Sequence, residues 1–261
     1  MQSIRNITLF PIKEVGEKTC TSCGHVFKIY ETSRGVTGAC KTCIERELIH
    51  SLNLPKLEDL ENDKLRNFIL NTEKVTSDIQ NATVRSYLPK HEMQIKAKQL
   101  AISFTKEFDG TKSMVFSGTP GLGKSHLSFA IVKAVRDKGH NALFIKSTHL
   151  LDLFRNSYSG SGIPESQIYD HLESLDLLAI DDIGSEYLKA NESGFETWAS
   201  DILYKVFDSR IEKANICSTN YSESELKKKY GNNGERIISR MMFKAKAIRL
   251  EGEDFRRQEA F

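Results

Sequence analysis

No stretch of this 261-residue chain approaches the roughly 18 consecutive apolar residues of a membrane-spanning helix. The opening segment, MQSIRNITLFPIKEVGEK, lacks the apolar block and small-residue cleavage site of a secretory signal. A cytoplasmic protein with no membrane association is therefore expected. Neither sign of charge is in surplus, since 37 Lys and Arg face 35 Asp and Glu. That balance excludes a polycation holding nucleic acid by bulk charge, so any such site must come from local placement. Internal repeats and low-complexity tracts are missing as well. With 39% hydrophobic and 28% charged residues, the chain suits one good-sized domain plus a small module.

Cysteine is scarce beyond residue 43, where Cys217 stands alone and reads as a buried core residue. The other four form Cys20-x2-Cys23 and Cys40-x2-Cys43, with sixteen residues between the pairs. Two tight turns of this kind let four thiolates converge tetrahedrally on one Zn²⁺. Gly24, Gly35 and Gly38 stand where turns are needed. Disulfides are the plainer alternative, but a reducing compartment disfavours them. His25 or His50 could replace one sulfur ligand. A closed four-cysteine site leaves no position for water, so its role would be structural.

From Ser113 short apolar runs recur, at Ser113–Ser117, Ala142–Lys146, Leu177–Asp181, Ala214–Thr219 and Ala247–Leu250. Amphipathic segments separate them, as with Leu127, Ala130, Ile131, Ala134 and Val135 on one helical face. Strands buried on both faces by crossover helices give this pattern, so the fold class is α/β with a mainly parallel, five-stranded sheet. Ahead of it, Lys90–Phe108 reads as a helix and Thr76–Pro89 has no clear structure.

Directly after the first run comes Gly118-Thr119-Pro120-Gly121-Leu122-Gly123-Lys124-Ser125-His126, which satisfies GxxxxGK[ST] between a strand and a helix. Such a loop wraps phosphates with backbone N–H groups, aided by the helix N-terminus. Lys124 should reach the β- and γ-phosphates of ATP, and the Ser125 hydroxyl should ligate Mg²⁺. The third run delivers Asp181 and Asp182 to its C-terminal edge, where ligand sites of such sheets lie. Asp181 would hold Mg²⁺ through water, and Asp182 would orient or deprotonate the attacking water. Asn220, ending the fourth run, is the candidate γ-phosphate sensor. That role requires its strand to lie between the phosphate loop's strand and the acids' strand.

Over roughly residues 78–257 these motifs resemble the bacterial replicative-helicase loaders of the DnaC/DnaI type, a lidless clade of the AAA+ ATPases shared with IstB. The resemblance rests on FSGTPGLGKSHL, LLAIDDIG, STN, the block Gly234-Glu-Arg236-Ile-Ile-Ser-Arg240-Met, and Asp254-Phe-Arg256. It implies an AAA+ P-loop domain without a C-terminal helical lid, slow ATP hydrolysis stimulated by self-association or DNA, and a hexameric helicase of the DnaB type as partner. Arg240 looks like the arginine finger that completes a neighbour's ATP site, with Arg236 as the alternative. Arg256 falls near a second-sensor position. The stretch Thr148–Tyr158 resembles the family's extra helix on single-stranded DNA, pointing to Phe154, Arg155 and Tyr158, although Leu150, Leu151 and Phe154 also form an inward stripe. From Ser222 to Arg257, ten Lys and Arg against six Asp and Glu make a local surplus that reads first as a solvated face. Many AAA+ ATPases have Glu where Asp182 stands, whereas relatives in this clade also carry Asp-Asp; the shorter side chain reaches the water less well and implies slow turnover without excluding hydrolysis.

The expected division is a zinc module over 1–50, a helical connector over 51–89 and an ATPase domain over 90–261. The expected function is ATP-dependent delivery of a replicative helicase onto single-stranded DNA. Two alternatives are an IstB-type transposase helper and a nucleotide-gated binding module that barely hydrolyses ATP.

Overall fold

The computed structural model describes residues 13–51, 57–160, 162–186 and 198–255, with side chains left aside at 48–51 and 57–59. The chain divides into two compact units, residues 1–61 and 62–261.

The first unit is a three-stranded antiparallel meander followed by a helix: β1 (Lys13–Thr19), β2 (Val26–Thr32), β3 (Gly35–Thr37) and α1 (Lys41–Ser51). Among its described side chains only Cys40 is buried. Val15, Val26, Val36 and Ile44 all remain exposed. Apolar burial is therefore too small to hold these strands together, and a different source of stability is required.

The second unit begins within α2 (Leu57–Thr72) and continues through α3 (Glu92–Lys106), β4 (Ser113–Ser117), α4 (Lys124–Arg136), β5 (Ala142–Lys146) and α5 (Ser147–Tyr158). There follow α6 (Glu165–Ser174), β6 (Leu177–Ile183), α7 (Trp198–Ser209), β7 (Ala214–Thr219), α8 (Glu223–Lys229), a 3₁₀ turn (Gly231–Asn233), α9 (Gly234–Met241) and β8 (Ala245–Arg249). The strand order is β5-β6-β7-β4-β8, every pair parallel. Thus β7 lies between β4 and β6.

Alternate residues of each central strand face opposite layers. Met114, Phe116, Phe144, Ala179 and Ile216 pack against α3 and α4, while Val115, Leu143, Ile145, Ile180 and Cys217 face α5, α6, α7 and α9. Each large side chain removed from water contributes roughly 1.5–3 kcal/mol. The last strand departs from expectation. It runs Ala245–Arg249 rather than Ala247–Leu250, because pairing with β4 starts at Ala245 opposite Ser113. Among the described residues no helical domain follows β8.

The stretch expected as a helical connector is helical over Leu57–Thr72 and packs into the second unit. Leu65, Phe68 and Ile69 enter one core layer, and Ile79, Ala82 and Tyr87 enter the other. Glu73 takes both guanidinium branches of Arg136 at 2.8 and 2.5 Å and accepts from the Phe144 N–H at 3.0 Å. It thereby satisfies a backbone donor of the edge strand β5.

Candidate nucleotide site and cysteine cluster

The ends of β4, β6 and β7 open onto a cleft of about 380 Å³. Pro120, Gly121, Gly123, Lys124, Ser125, His126, Asp182 and Asn220 line it together. Gly121 and Gly123 both have φ of +79°, a conformation costly for any residue with a Cβ. At Gly123 a Cβ would run into the Tyr87 ring, and at Gly118 into the Leu250 carbonyl. The loop is pressed between neighbours on both flanks, which explains glycine there. The Leu122 side chain is buried in the core, so its part in the loop is left to its backbone.

Lys124 is almost wholly buried, and its ammonium donates to the carbonyls of Gly118 and Thr119 at 2.8 Å each. One oxygen of buried Asp181 accepts from the Ser218 hydroxyl, while its Oδ2 has no hydrogen-bond partner among the described residues. Burial, and next the charge of Asp182, raise the Asp181 pKa, against the opposing hydroxyls of Ser218 and Ser125. An orphaned, desolvated carboxylate oxygen beside the Ser125 hydroxyl is a donor set that suits Mg²⁺. Asp182 sits at φ +57°, and its carboxylate accepts from Asn220 Nδ2 at 3.3 Å. The three strands therefore bring Lys124, Asp182 and Asn220 to one place.

Sequence reasoning missed the wall opposite. Ile79, Tyr87, Leu88 and Phe255 line the cleft with Asp78 and Ser86. The Tyr87 hydroxyl donates to the Leu122 carbonyl at 2.9 Å, and His126 Nε2 donates to the Thr83 carbonyl at 3.0 Å. His126 thus ties this wall to α4 as well as lining the cleft. Phe255 N–H donates to the Gly121 carbonyl at 3.1 Å, and Lys90 stands 4.9 Å over its ring. The irregular segment 76–89 carries no period that could have announced this.

Arg236 and Arg240 occupy one face of α9, directed at α7 rather than into the cleft. The Arg236 guanidinium lies 5.2 Å over Tyr204, and Arg240 Nε donates to Asp208 at 2.7 Å. Arg256 lies outside the described residues. On α5, Phe154 is fully buried with its ring against Tyr169, so its expected contact with DNA is corrected: the apolar stripe places it in the core. Arg155 and Tyr158 stay exposed beside Trp198, Arg155 paired with Asp152.

In the first unit the four sulfurs of Cys20, Cys23, Cys40 and Cys43 all lie within 4.8 Å of one another. Cys20 and Cys43 are 3.6 Å apart and Cys23 and Cys40 3.4 Å, well beyond the roughly 2.05 Å of a disulfide. Four sulfurs about 2.3 Å from a central zinc would be spaced by roughly 3.8 Å, so the cluster fits that ion. Backbone N–H groups of Ser22 and Cys23 draw the Cys20 thiol down to about 6, while the thiols of Cys23 and Cys20 push Cys43 up to about 12. His25 does not join the cluster, and the His50 side chain is outside the described residues.

Residues 61–261 match the family model described as IstB-like ATP binding protein. The chain is 32% identical over 165 residues to the replicative helicase loader DnaC of Escherichia coli (strain K12), covering 62% of this chain and 63% of that protein. It is 23% identical over 217 residues to the replicative helicase loader DnaI of Bacillus subtilis (strain 168), covering 77% of this chain and 67% of that one. Among solved structures it is similar to the DnaC helicase loader (TM-score 0.58, 24% identity, 67% of this chain and all of that one). It is also similar to DnaI (TM-score 0.56, 20% identity, 69% of this chain and 93% of that one). These last two likenesses bear on the fold alone. Phosphate loop, acid pair and sheet order agree with the matched residues: the chain belongs to the family of IstB-like ATP-binding proteins.

Proposed function

We propose that the protein is an ATP-dependent loader that delivers a hexameric replicative helicase of the DnaB type onto single-stranded DNA. The similarity to E. coli DnaC over 165 residues carries this reading, and the geometry of the cleft supports its ATP-dependent part. Lys124 exchanges its carbonyl partners for the β- and γ-phosphates, gripped also by backbone N–H groups of 118–125. Mg²⁺, held by Ser125 and Asp181, supplies neutralising charge when bound. Asp182 orients the attacking water, and Asn220, bonded to it, registers the γ-phosphate.

Hydrolysis waits on assembly, because Arg240, or Arg236 in its place, completes the site of the next subunit; such a finger is worth roughly 10³–10⁵ in rate. Its bond to Asp208 keeps it extended along α7 for that task. The shorter reach of Asp182 makes turnover slow, suiting a timed release. Arg155 and Tyr158 on α5 meet single-stranded DNA, Arg256 acts as a second sensor, and the zinc-stabilised first unit docks on the helicase.

The test is the native mass of the protein mixed with the replicative helicase of its source organism, under ATP, under ADP, and with residues 1–61 removed. A discrete complex that is lost on truncation is expected. Absence of a complex in every nucleotide state would overturn the loader reading. The family description favours one second reading, a transposase helper, which predicts DNA-dependent assembly and no helicase complex.

A further inference from the structure

Beneath the acid pair lies a buried polar cluster that the phosphate chemistry does not use. Glu186, only 2% exposed, follows the strand carrying Asp181 and Asp182. One carboxylate oxygen accepts from the Ser147 hydroxyl at 2.7 Å and from the Gly184 N–H at 3.1 Å; the other accepts from the Tyr230 hydroxyl. Ser147 and Tyr230 are fully buried too. The one hydrogen of the Ser147 hydroxyl is shared with the main-chain carbonyl of Asp182, 3.0 Å away, which accepts in addition from the Ser185 N–H at 3.0 Å. A carboxylate is costly to bury, and an apolar cluster would fill the same space at lower cost. What apolar groups could not do is fix the main chain of the turn from Asp182 to Ser185. That turn needs fixing at Asp182, which holds φ +57°. An aspartate keeps such a backbone only where its surroundings over-determine it.

We infer that Glu186 is a positioning residue of the hydrolytic site, holding the Asp182 turn through Ser147 and Gly184 and tying it through Tyr230, at the end of α8, toward the helix α9 that carries Arg236 and Arg240. This rests on the reading that Asp182 orients the attacking water. Tyr230 ends α8 and is followed by the 3₁₀ turn and α9. One buried chain of hydrogen bonds thus runs from the water-orienting acid of a subunit toward the arginines it offers its neighbour, with the start of α5 as a side branch.

The experiment compares wild type, Glu186→Gln, Tyr230→Phe, Asp182→Asn and the double variant Asp182→Asn/Glu186→Gln. For each, kcat, KM, affinity for a fluorescent ATP analogue and Tm are measured. Glu186→Gln keeps the shape, so the fold should persist, but it puts an amide where the Tyr230 hydroxyl donates and removes the charge that strengthens the bonds from Ser147 and Gly184. The expected result is a roughly tenfold lower kcat in Glu186→Gln and Tyr230→Phe, with KM and analogue affinity within about twofold of wild type. The double variant should be no slower than Asp182→Asn alone, because both changes act on one group. A folded Glu186→Gln with wild-type kcat would overturn the inference, as would losses that multiply in the double variant. Should Asp182→Asn itself retain wild-type kcat, the water-orienting reading fails and the inference falls with it; that control carries no change at Glu186, so the two failures are told apart. If Glu186→Gln does not fold, Ser147→Ala removes only the hydroxyl between Glu186 and the Asp182 carbonyl, and the same outcomes apply.

Discussion

Lys124 is held by two carbonyls of its own loop, so its removal should leave the loop's backbone in place and cost binding rather than folding. A charge-assisted contact is worth roughly 1.5–3 kcal/mol, which is about tenfold to a hundredfold in affinity. Lys124→Ala should therefore weaken a fluorescent ATP analogue by that factor with Tm unchanged; wild-type affinity would refute the phosphate grip. Gly123 makes a sharper case. Its left-handed backbone alone would cost an alanine about 1–2 kcal/mol, and the Tyr87 ring occupies the space of the new methyl. Gly123→Ala should lower Tm by roughly 2–8 °C, and it should cost less in a Tyr87→Ala background than in wild type if the ring is responsible. The phosphate loop, the acid pair and the four cysteines were legible in the sequence because each residue type carries its chemistry at fixed spacing. Tyr87 and Glu186 were not, since nothing local distinguishes them and their roles arise only where distant segments meet. Phe154 was ambiguous for a related reason: one apolar side chain serves equally to pack a core or to stack on a base, and only its burial decides.

At the scale of elements, apolar runs announced all five strands of the sheet and left boundary errors at two: β6 runs on to Ile183 past the expected end at Asp181, and in β8 a single buried residue, Ile248, gives little period to read. The order of the strands was beyond reach, because pairing between segments a hundred residues apart leaves no mark in either. Helix α8 opens with a capping box: Ser222 accepts from the Glu225 N–H at 3.3 Å, and the Glu225 carboxylate accepts from the Ser222 N–H at 2.7 Å and its hydroxyl at 2.6 Å. Those bonds, the hydroxyl's first, lower the Glu225 pKa. A carboxylate whose folded value is depressed stabilises the fold above its unfolded pKa of about 4.3, and the contribution disappears as pH falls through the lower, folded value. Tm measured from pH 7 down to pH 3 should fall less steeply in Glu225→Gln than in wild type. Ser222→Ala should cost about 1 kcal/mol at neutral pH; parallel acid limbs for the glutamine variant and wild type would count against the box.

The molecule as a whole joins two units stabilised by different physics. The second has layered apolar cores on both sides of a parallel sheet. The first buries a single described side chain, a cysteine of its cluster. If zinc occupies that cluster, it supplies roughly 10–16 kcal/mol, and its removal should be felt there alone. Chelation, or Cys23→Ser, should open residues 13–51 to hydrogen exchange and proteolysis while the second unit melts as before. A shift of that melt on chelation would show that the units share their stability.

The place of β4 in the sheet has a consequence for synthesis. Its partners come late, with Met114 beside Ile216 and Ser113 beside Ala245. On the ribosome, the strand that aims the phosphate loop emerges early and finds neither flank until most of the domain has followed. Loop closure over such spans is slow, so the nascent chain carries an apolar strand with both edges bare, open to chaperones and to self-association. Asp182 and Asn220, in turn, come together only once β7 has taken its place between β6 and β4. The cleft at the strand ends is therefore complete only when most of the domain has left the ribosome.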